Sequence, residues 1–238
     1  MRRPLEESQK VRATLLATAP KRRDRSAASR GIPAGERASY KLAILPHIDN
    51  RPSALPKERR EAFEAHLRAN IAKARERGAA GEVSAYVAPA NARIPGDIRS
   101  EAERDAEAKL LGAGCAACRG WCCLGGGNHA FNDVETMLRY IEAFPTHNDD
   151  EIVARYLSFV ASHTLTNGCV YQHEHGCTLP RDLRADICNR FFCSHLDAIR
   201  NEYTHGEPVR AYFAHVKGGR LVGDRFVEIP VVEASVES

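Results

Sequence analysis

The chain has 238 residues, of which 43% are apolar and 27% charged, with a formal net charge of +3. Its 17 glycines and 12 prolines are too few for a fibrous or low-complexity protein. No apolar run approaches the roughly 18 residues that a membrane span requires, and the N-terminus lacks the apolar stretch of a secretory signal. We therefore expect a soluble, cytoplasmic protein with no membrane span.

The positive charge is concentrated at the N-terminus. Residues 1–60 carry 15 Lys and Arg against 6 Asp and Glu, and the rest of the chain is net acidic. A segment with so many charges and so few apolar residues predicts a basic, flexible N-terminal arm over residues 1–55. Such an arm contacts nucleic acid or anionic lipid through charge. A solvated tail without a partner is the alternative.

An apolar series predicts the first helix, from 57 to 77. Its members recur at spacings of four, four and three residues and share one helical face. They are Phe63, Leu67, Ile71 and Ala74. Gly78 supplies the stop. Between 79 and 99 the glycines and prolines predict a loop, with one strand over 83–87.

A capping box predicts the next helix. Ser100 is followed three residues later by Glu103, the pattern in which each side chain satisfies the other's backbone N–H group. We expect this helix to end at Leu110–Gly112, just before the first cysteine. Residues 56–111 are therefore predicted as a helical segment.

Two further helices are predicted between the two groups of cysteines. The first begins at Asn132 as N-cap with Glu135 reaching back, and Pro145 lies beyond its end. The second runs from about 149 to 163. Its apolar residues fall at helical spacing and are interpreted as core rather than as ligands. They are Ile152, Val153, Tyr156, Leu157 and Val160.

The C-terminal segment, 201–238, predicts a β-hairpin and a polar tail. Two apolar stretches, 209–216 and 221–227, flank the sequence Lys217-Gly218-Gly219-Arg220, a glycine turn between strands. The predicted fold class is therefore mainly α with a small C-terminal β-hairpin, around an irregular cysteine-rich metal-binding core.

All eight cysteines lie between 115 and 193, so residues 112–200 are predicted as a cysteine-cluster metal-binding domain. The cysteines form an early group of four and a later group of four. The eight predicted metal ligands are Cys115, Cys118, Cys122, Cys123, Cys169, Cys177, Cys188 and Cys193. A Cys-x2-Cys pair brings two thiolates to one metal ion. Disulfides would need an oxidising compartment, and a redox-active pair would need a βαβ context.

Eight thiolates satisfy two four-ligand sites or one polynuclear centre, and they suit zinc, iron and iron–sulfur clusters alike. Cys123 has the least defined role because adjacent side chains point apart. Four histidines of the same region are able to complete a ligand set: His129, His173, His175 and His195. Of these, His173 and His175 are the strongest candidates, since with Glu174 they lie between two cysteines. The glycines at 125–127 predict backbone packed close to the site.

The cysteine pattern resembles the YkgJ-like, or CxxCxxCC, family of zinc- or iron-chelating cysteine-cluster proteins. The residues that carry the resemblance are 115–123 (CAACRGWCC), Cys169, Gly176-Cys177 and 184–191 (RADICNRF). The resemblance covers residues 112–197 and implies metal chelation without a settled reaction. The chain departs from the family in having three residues between Cys118 and Cys122 and in having Asn189 after Cys188.

Two other functions stay open at the level of sequence. One is a metal- or iron–sulfur-dependent enzyme for redox or methyl transfer, since the family's cysteine module also occurs in flagellin lysine methylase-like proteins. The other is a zinc-stabilised nucleic-acid-binding protein that uses the basic residues 1–60. The catalytic residues, the substrate and any protein or small-molecule partner are unassigned.

Overall fold

The structure is a computed structural model that describes residues 3–85, 99–191, 193–200 and 206–232, with side chains from residue 13 onward. Its α-helices are α1 (Arg3–Ser29), α2 (Lys57–Ala79), α3 (Glu101–Cys118), α4 (Val134–Ala143), α5 (Asp149–Leu157), α6 (Asp186–Arg190) and α7 (Ser194–Asp197). Its strands are β1 (Lys41–Pro46), β2 (Pro52–Ala54), β3 (His163–Leu165), β4 (Gln172–His173), β5 (Gly176–Cys177), β6 (Val209–Lys217) and β7 (Arg220–Ile229). No helix in these ranges is long and apolar enough to cross a membrane.

The chain folds into two compact units. Unit 1 comprises residues 1–48, 95–118 and 192–238, and unit 2 comprises residues 49–94 and 119–191. The predicted class, mainly helical with a small sheet near the C-terminus, is confirmed.

The sheet of unit 1 has the strand order β1-β6-β7. The predicted hairpin is confirmed, because β6 and β7 pair antiparallel around Gly218 and Gly219, whose φ angles are +54° and +74°. β1 pairs parallel with β6, from Lys41 opposite Ala211 to Pro46 opposite Val216. This third strand comes from the segment that the sequence predicts as an arm.

The segment predicted as a flexible arm, residues 1–55, contains α1, β1 and β2 in the structure. Its charges are partly used inside unit 1. Asp224 on β7 accepts from Arg30 at 2.9 Å and lies 3.6 Å from the Arg22 guanidinium. Ala19, on the same helix, is fully buried in an apolar cluster that includes Tyr212 of β6. The prediction overlooked that these arginines have an acidic partner near the other end of the chain.

Helix α3 begins as predicted and ends later than predicted. The Ser100 hydroxyl accepts from the Glu103 N–H, and the Glu103 carboxylate accepts from the Ser100 N–H. The predicted end at 110–112 is wrong, because α3 continues to Cys118. Gly114 lies inside this longer helix at a close contact, since a Cβ atom there would lie 2.7 Å from Leu196 Cδ2. The glycine therefore serves close packing and not termination.

In unit 2, α2 packs against α4 and α5. The predicted apolar face of α2 is confirmed, since all four of its residues are fully buried. Two buried tyrosines link the core to the chain that carries the later cysteines: Tyr156 donates to the Leu183 carbonyl and Tyr171 donates to the Tyr156 carbonyl.

The other helix boundaries of unit 2 differ from the prediction in detail. The N-cap of α4 is Asp133 and not Asn132, because the Asp133 carboxylate accepts from the Thr136 N–H. Helix α5 begins at a capping box of Asn148 and Glu151 and ends at Leu157, short of the predicted 163. Of the strand predicted over 83–87, residues 83–85 form no strand, and the remainder lies outside the described residues.

Candidate metal centre

The structure divides the cysteines between the two units. Unit 2 holds Cys122, Cys123, Cys169, Cys177 and Cys188, and the other three lie in unit 1. None of the eight, all of which are described, is in a disulfide. The unit boundary falls between 118 and 119, inside the segment 112–200 that the sequence predicts as one domain. The cause is α3, which packs on the sheet of unit 1 and carries the first two cysteines with it.

The three cysteines of unit 1 belong to or pack against one apolar cluster. Cys115 and Cys118 are three residues apart in the last turn of α3, so they lie on one helical face. Cys118 is buried, and Cys115 and Cys193 pack against the same cluster, which contains Leu196 and Phe213.

In unit 2, a tight turn leads to the first cysteines. Arg119 and Gly120 have φ angles of +56° and +81°. A Cβ atom on Gly120 would lie 1.5 Å from Gln172 Nε2, so only glycine fits this backbone against that side chain. A short 3-10 helix, Cys122–Gly126, follows. This turn therefore places the segment that begins at Cys122 against Gln172, which lies on β4 between Cys169 and Cys177.

The Cys122 thiol has a lowered pKa. A hydrogen bond from the Cys123 thiol, assisted by the N–H groups of both residues and opposed by partial burial, lowers the pKa of Cys122 to about 6.

Cys169 lies in the interior and is 8% exposed. Gly126 packs on it, since a Cβ atom on Gly126 would lie 3.2 Å from Cys169 Sγ and 3.0 Å from the Phe131 ring. The sequence predicts that these glycines pack close to a metal site, and in the structure Gly126 lies against Cys169. Burial raises the pKa of Cys169 to about 12, and the neighbouring charges of Cys177 and Cys188 contribute to the increase.

The last two cysteines of unit 2 lie closer to solvent. Cys177 is exposed on β5, opposite Gln172, and its thiol is 3.8 Å from the Leu179 carbonyl oxygen. Cys188 is an exposed residue of α6 whose thiol is nonetheless desolvated. Desolvation, followed by the charges of Cys177 and Cys122, raises the pKa of Cys188 to about 12.

Four thiols of unit 2 come from three separate chain segments: the charges of Cys177 and Cys188 act on Cys169, and those of Cys177 and Cys122 act on Cys188. We call Cys122, Cys169, Cys177 and Cys188 the thiol quartet. No three thiols in the described part of the chain have their sulfur atoms within 4.8 Å of one another, whereas His173, Glu174 and His175 do bring their ligand atoms within that distance.

Arg59 of α2 forms hydrogen bonds to two chain segments, one that follows Cys122 and one that precedes Cys169. Its guanidinium donates to Asn128 Oδ1 and to the Gly168 carbonyl, both at 2.6 Å. Its charge also acts to lower the pKa of Cys169. Sequence reasoning missed this residue because an arginine in a charged helix gives no signal that its partners are two loops 69 and 109 residues away.

Gln172 places a buried oxygen beside the quartet. The residue is 5% exposed, and its Oε1 atom has no hydrogen-bond partner among the described residues. That oxygen would lie 2.9 Å from a Cβ atom on Gly168, next to Cys169. Thiol ligands suit zinc or iron better than magnesium or calcium, which prefer all-oxygen sites.

The structure describes all four of the predicted histidine candidates. His129 is exposed, accepts from the Phe131 N–H through Nδ1 and lies 5.8 Å from the His66 ring. His195 lies on α7 in unit 1. His173 and His175 lie together at the β4–β5 hairpin.

Comparisons with known proteins add no relative. No family model matches the chain, and neither the curated proteins nor the solved structures contain a match.

Proposed function

We propose that this chain is a metal-binding cysteine-cluster protein and that the thiol quartet of unit 2 binds zinc or iron, the latter as single ions or as an iron–sulfur centre. The resemblance of residues 112–197 to YkgJ-like proteins leads to the same proposal. Cys115, Cys118 and Cys193 are proposed as a second donor group, within unit 1.

The observation that carries the proposal is that four thiols from three separate chain segments lie in unit 2, where Cys169 and Cys188 each have other members of the quartet as charged neighbours. Cys122 follows the turn at Gly120, Cys169 and Cys177 flank β4, and Cys188 is on α6. Burial is the main cause of the raised pKa values at Cys169 and Cys188, and neighbouring thiolates add to it, so the ionised forms are unfavourable without a cation. A bound cation reverses this, since it stabilises every thiolate around it.

The surrounding residues support the proposal through what they do in the metal-free chain. Gly126 leaves room beside Cys169 Sγ. Arg59 ties the segment after Cys123 to the segment before Cys169. A metal bound here would supply a positive centre that links these segments. For structural zinc sites the binding contributes on the order of 10 kcal/mol to folding.

Cobalt substitution tests the proposal with a matched pair of variants on one short helix. Cys188→Ser removes a thiol of the quartet, and Ile187→Ala changes the preceding side chain, which is 51% exposed and offers no ligand atom. We expect Co²⁺ added to the reduced wild-type chain to give thiolate-to-cobalt charge-transfer absorption. Ile187→Ala should retain that absorption, and Cys188→Ser should lose much of it.

One result of the Co²⁺ titration would contradict the proposal. If Cys188→Ser binds Co²⁺ with the wild-type spectrum and stoichiometry, the quartet is not the ligand set. Far-ultraviolet circular dichroism of each variant establishes that a lost spectrum does not come from a lost fold.

A further inference from the structure

The hairpin between Cys169 and Cys177 places three consecutive metal-capable side chains at its tip. In β4 and β5, Gln172 pairs with Cys177 and His173 pairs with Gly176. Glu174 and His175 are therefore the two turn residues. Gly176, with a φ of +114°, closes the turn in a conformation that other residues rarely adopt.

The ligand atoms of this tip converge. One atom each from His173, Glu174 and His175 lies within 4.8 Å of the other two. The two imidazole rings have centroids 5.4 Å apart. His175 Nε2 lies 3.4 Å from Glu174 Oε1. That distance is long for a charge-assisted hydrogen bond. It equals, however, the edge of a tetrahedron whose metal–ligand bonds are about 2.1 Å.

The chemistry of the donors restricts the ion. Two imidazole nitrogens and one carboxylate oxygen suit zinc, copper and nickel, and select against magnesium and calcium. The same donor types, two histidines and one glutamate with a water in the fourth position, form a recognised class of open zinc site. His175 and Glu174 have side chains 85% and 50% exposed, so solvent reaches such an ion directly.

We propose that the hairpin tip is a second, open metal site, which binds a divalent transition ion, zinc first, through His173, Glu174 and His175. Water completes the coordination. The site is independent of the thiol quartet because its donors are nitrogen and oxygen and because it needs no side chain outside the hairpin. An exposed site made by one short turn exchanges its ion with solvent more readily than a buried thiolate site does.

The test follows the histidine Cε1–H signals of the full chain by NMR during titration with Zn²⁺. We expect the signals of His173 and His175 to shift together at Zn²⁺ concentrations that leave the His163 signal in place. Glu174→Gln and His175→Gln should each weaken this binding by at least about tenfold, the usual effect of losing a metal-site residue. His163→Gln, an exposed histidine of the same unit, is the matched control, and Mg²⁺ should shift neither signal.

Two results would overturn the inference. One is that the His173 and His175 signals do not move up to about 1 mM Zn²⁺, which corresponds to a binding free energy weaker than about 4 kcal/mol. The other is loss of the shifts in Cys177→Ser, because the ion would then belong to the thiolates. Retained shifts in Cys177→Ser support the tip site whether or not the quartet binds metal.

Discussion

Gly120 offers a direct test of the packing that positions the first cysteine segment of unit 2. In Gly120→Ala the new Cβ atom meets Gln172 Nε2 at 1.5 Å and Gln172 Cδ at 2.1 Å, so the buried glutamine must leave its place. Holding alanine at a φ of +81° costs roughly 1–2 kcal/mol. Overpacking in the interior costs about 1–3 kcal/mol more. We therefore expect a total loss of about 2–5 kcal/mol of unfolding free energy.

Gly81 supplies a matched control. It has the same φ, +81°, and a Cβ atom there meets nothing within 4 Å. Gly81→Ala should therefore lose only the backbone cost of roughly 1–2 kcal/mol. The difference between the variants, about 1–3 kcal/mol, isolates the clash with Gln172.

Urea unfolding measures both variants. Trp121, the single tryptophan of the chain, lies next to Gly120 in unit 2, so its fluorescence follows the unfolding of that unit. We expect Gly120→Ala to unfold at clearly lower urea than Gly81→Ala. Equal losses in the two variants would refute the close approach of Gly120 to Gln172, and with it the account of how Cys122 is positioned.

Three further outcomes are expected. Asp224→Ala removes the acceptor of two arginines and of a tyrosine hydroxyl, and should destabilise unit 1 by about 1–2 kcal/mol in urea unfolding; an unchanged midpoint would contradict the docking of α1 on the sheet. A hydrogen bond from Arg210 lowers the pKa of the Glu228 carboxyl group. The ionised carboxylate therefore stabilises the folded state at neutral pH, and this contribution is lost on acidification. Glu228→Gln should accordingly lose less stability than wild type between about pH 6 and about pH 3, and an identical loss would count against the ion pair. In the metal-free reduced chain at about pH 7, iodoacetamide should label Cys122 before Cys169, because the thiolate reacts and the pKa of Cys122 is about 6 against about 12; peptide mass spectrometry reveals the order.

Local patterns were predictable from the sequence because neighbouring residues determine them. The capping box at Ser100 and Glu103 and the glycine turn between β6 and β7 depend on residues a few positions apart. The apolar face of α2 follows from helical spacing alone. These are the features that short-range physical rules describe well.

The partners of distant residues were not predictable in this way. β1 looks like part of a basic arm until Lys41 is known to pair with Ala211, 170 positions later. The predicted end of α3 at Leu110–Gly112 is passed over in the structure, and only the position of Leu196 shows that Gly114 serves close packing inside the helix. The sequence pattern treats the eight cysteines as one group, because their division between two units depends on which sheet α3 packs against.

The central claim is that the thiol quartet binds a metal, and metal content tests it most directly. Anaerobic purification of the untagged chain would be followed by elemental analysis and an absorption spectrum of the same sample, for wild type and Cys169→Ser. The account predicts zinc, or iron with or without labile sulfide, bound to the wild type in stoichiometric amount and reduced in Cys169→Ser. A folded wild-type chain that contains no zinc or iron, and whose urea midpoint does not change when either metal is added, would contradict it.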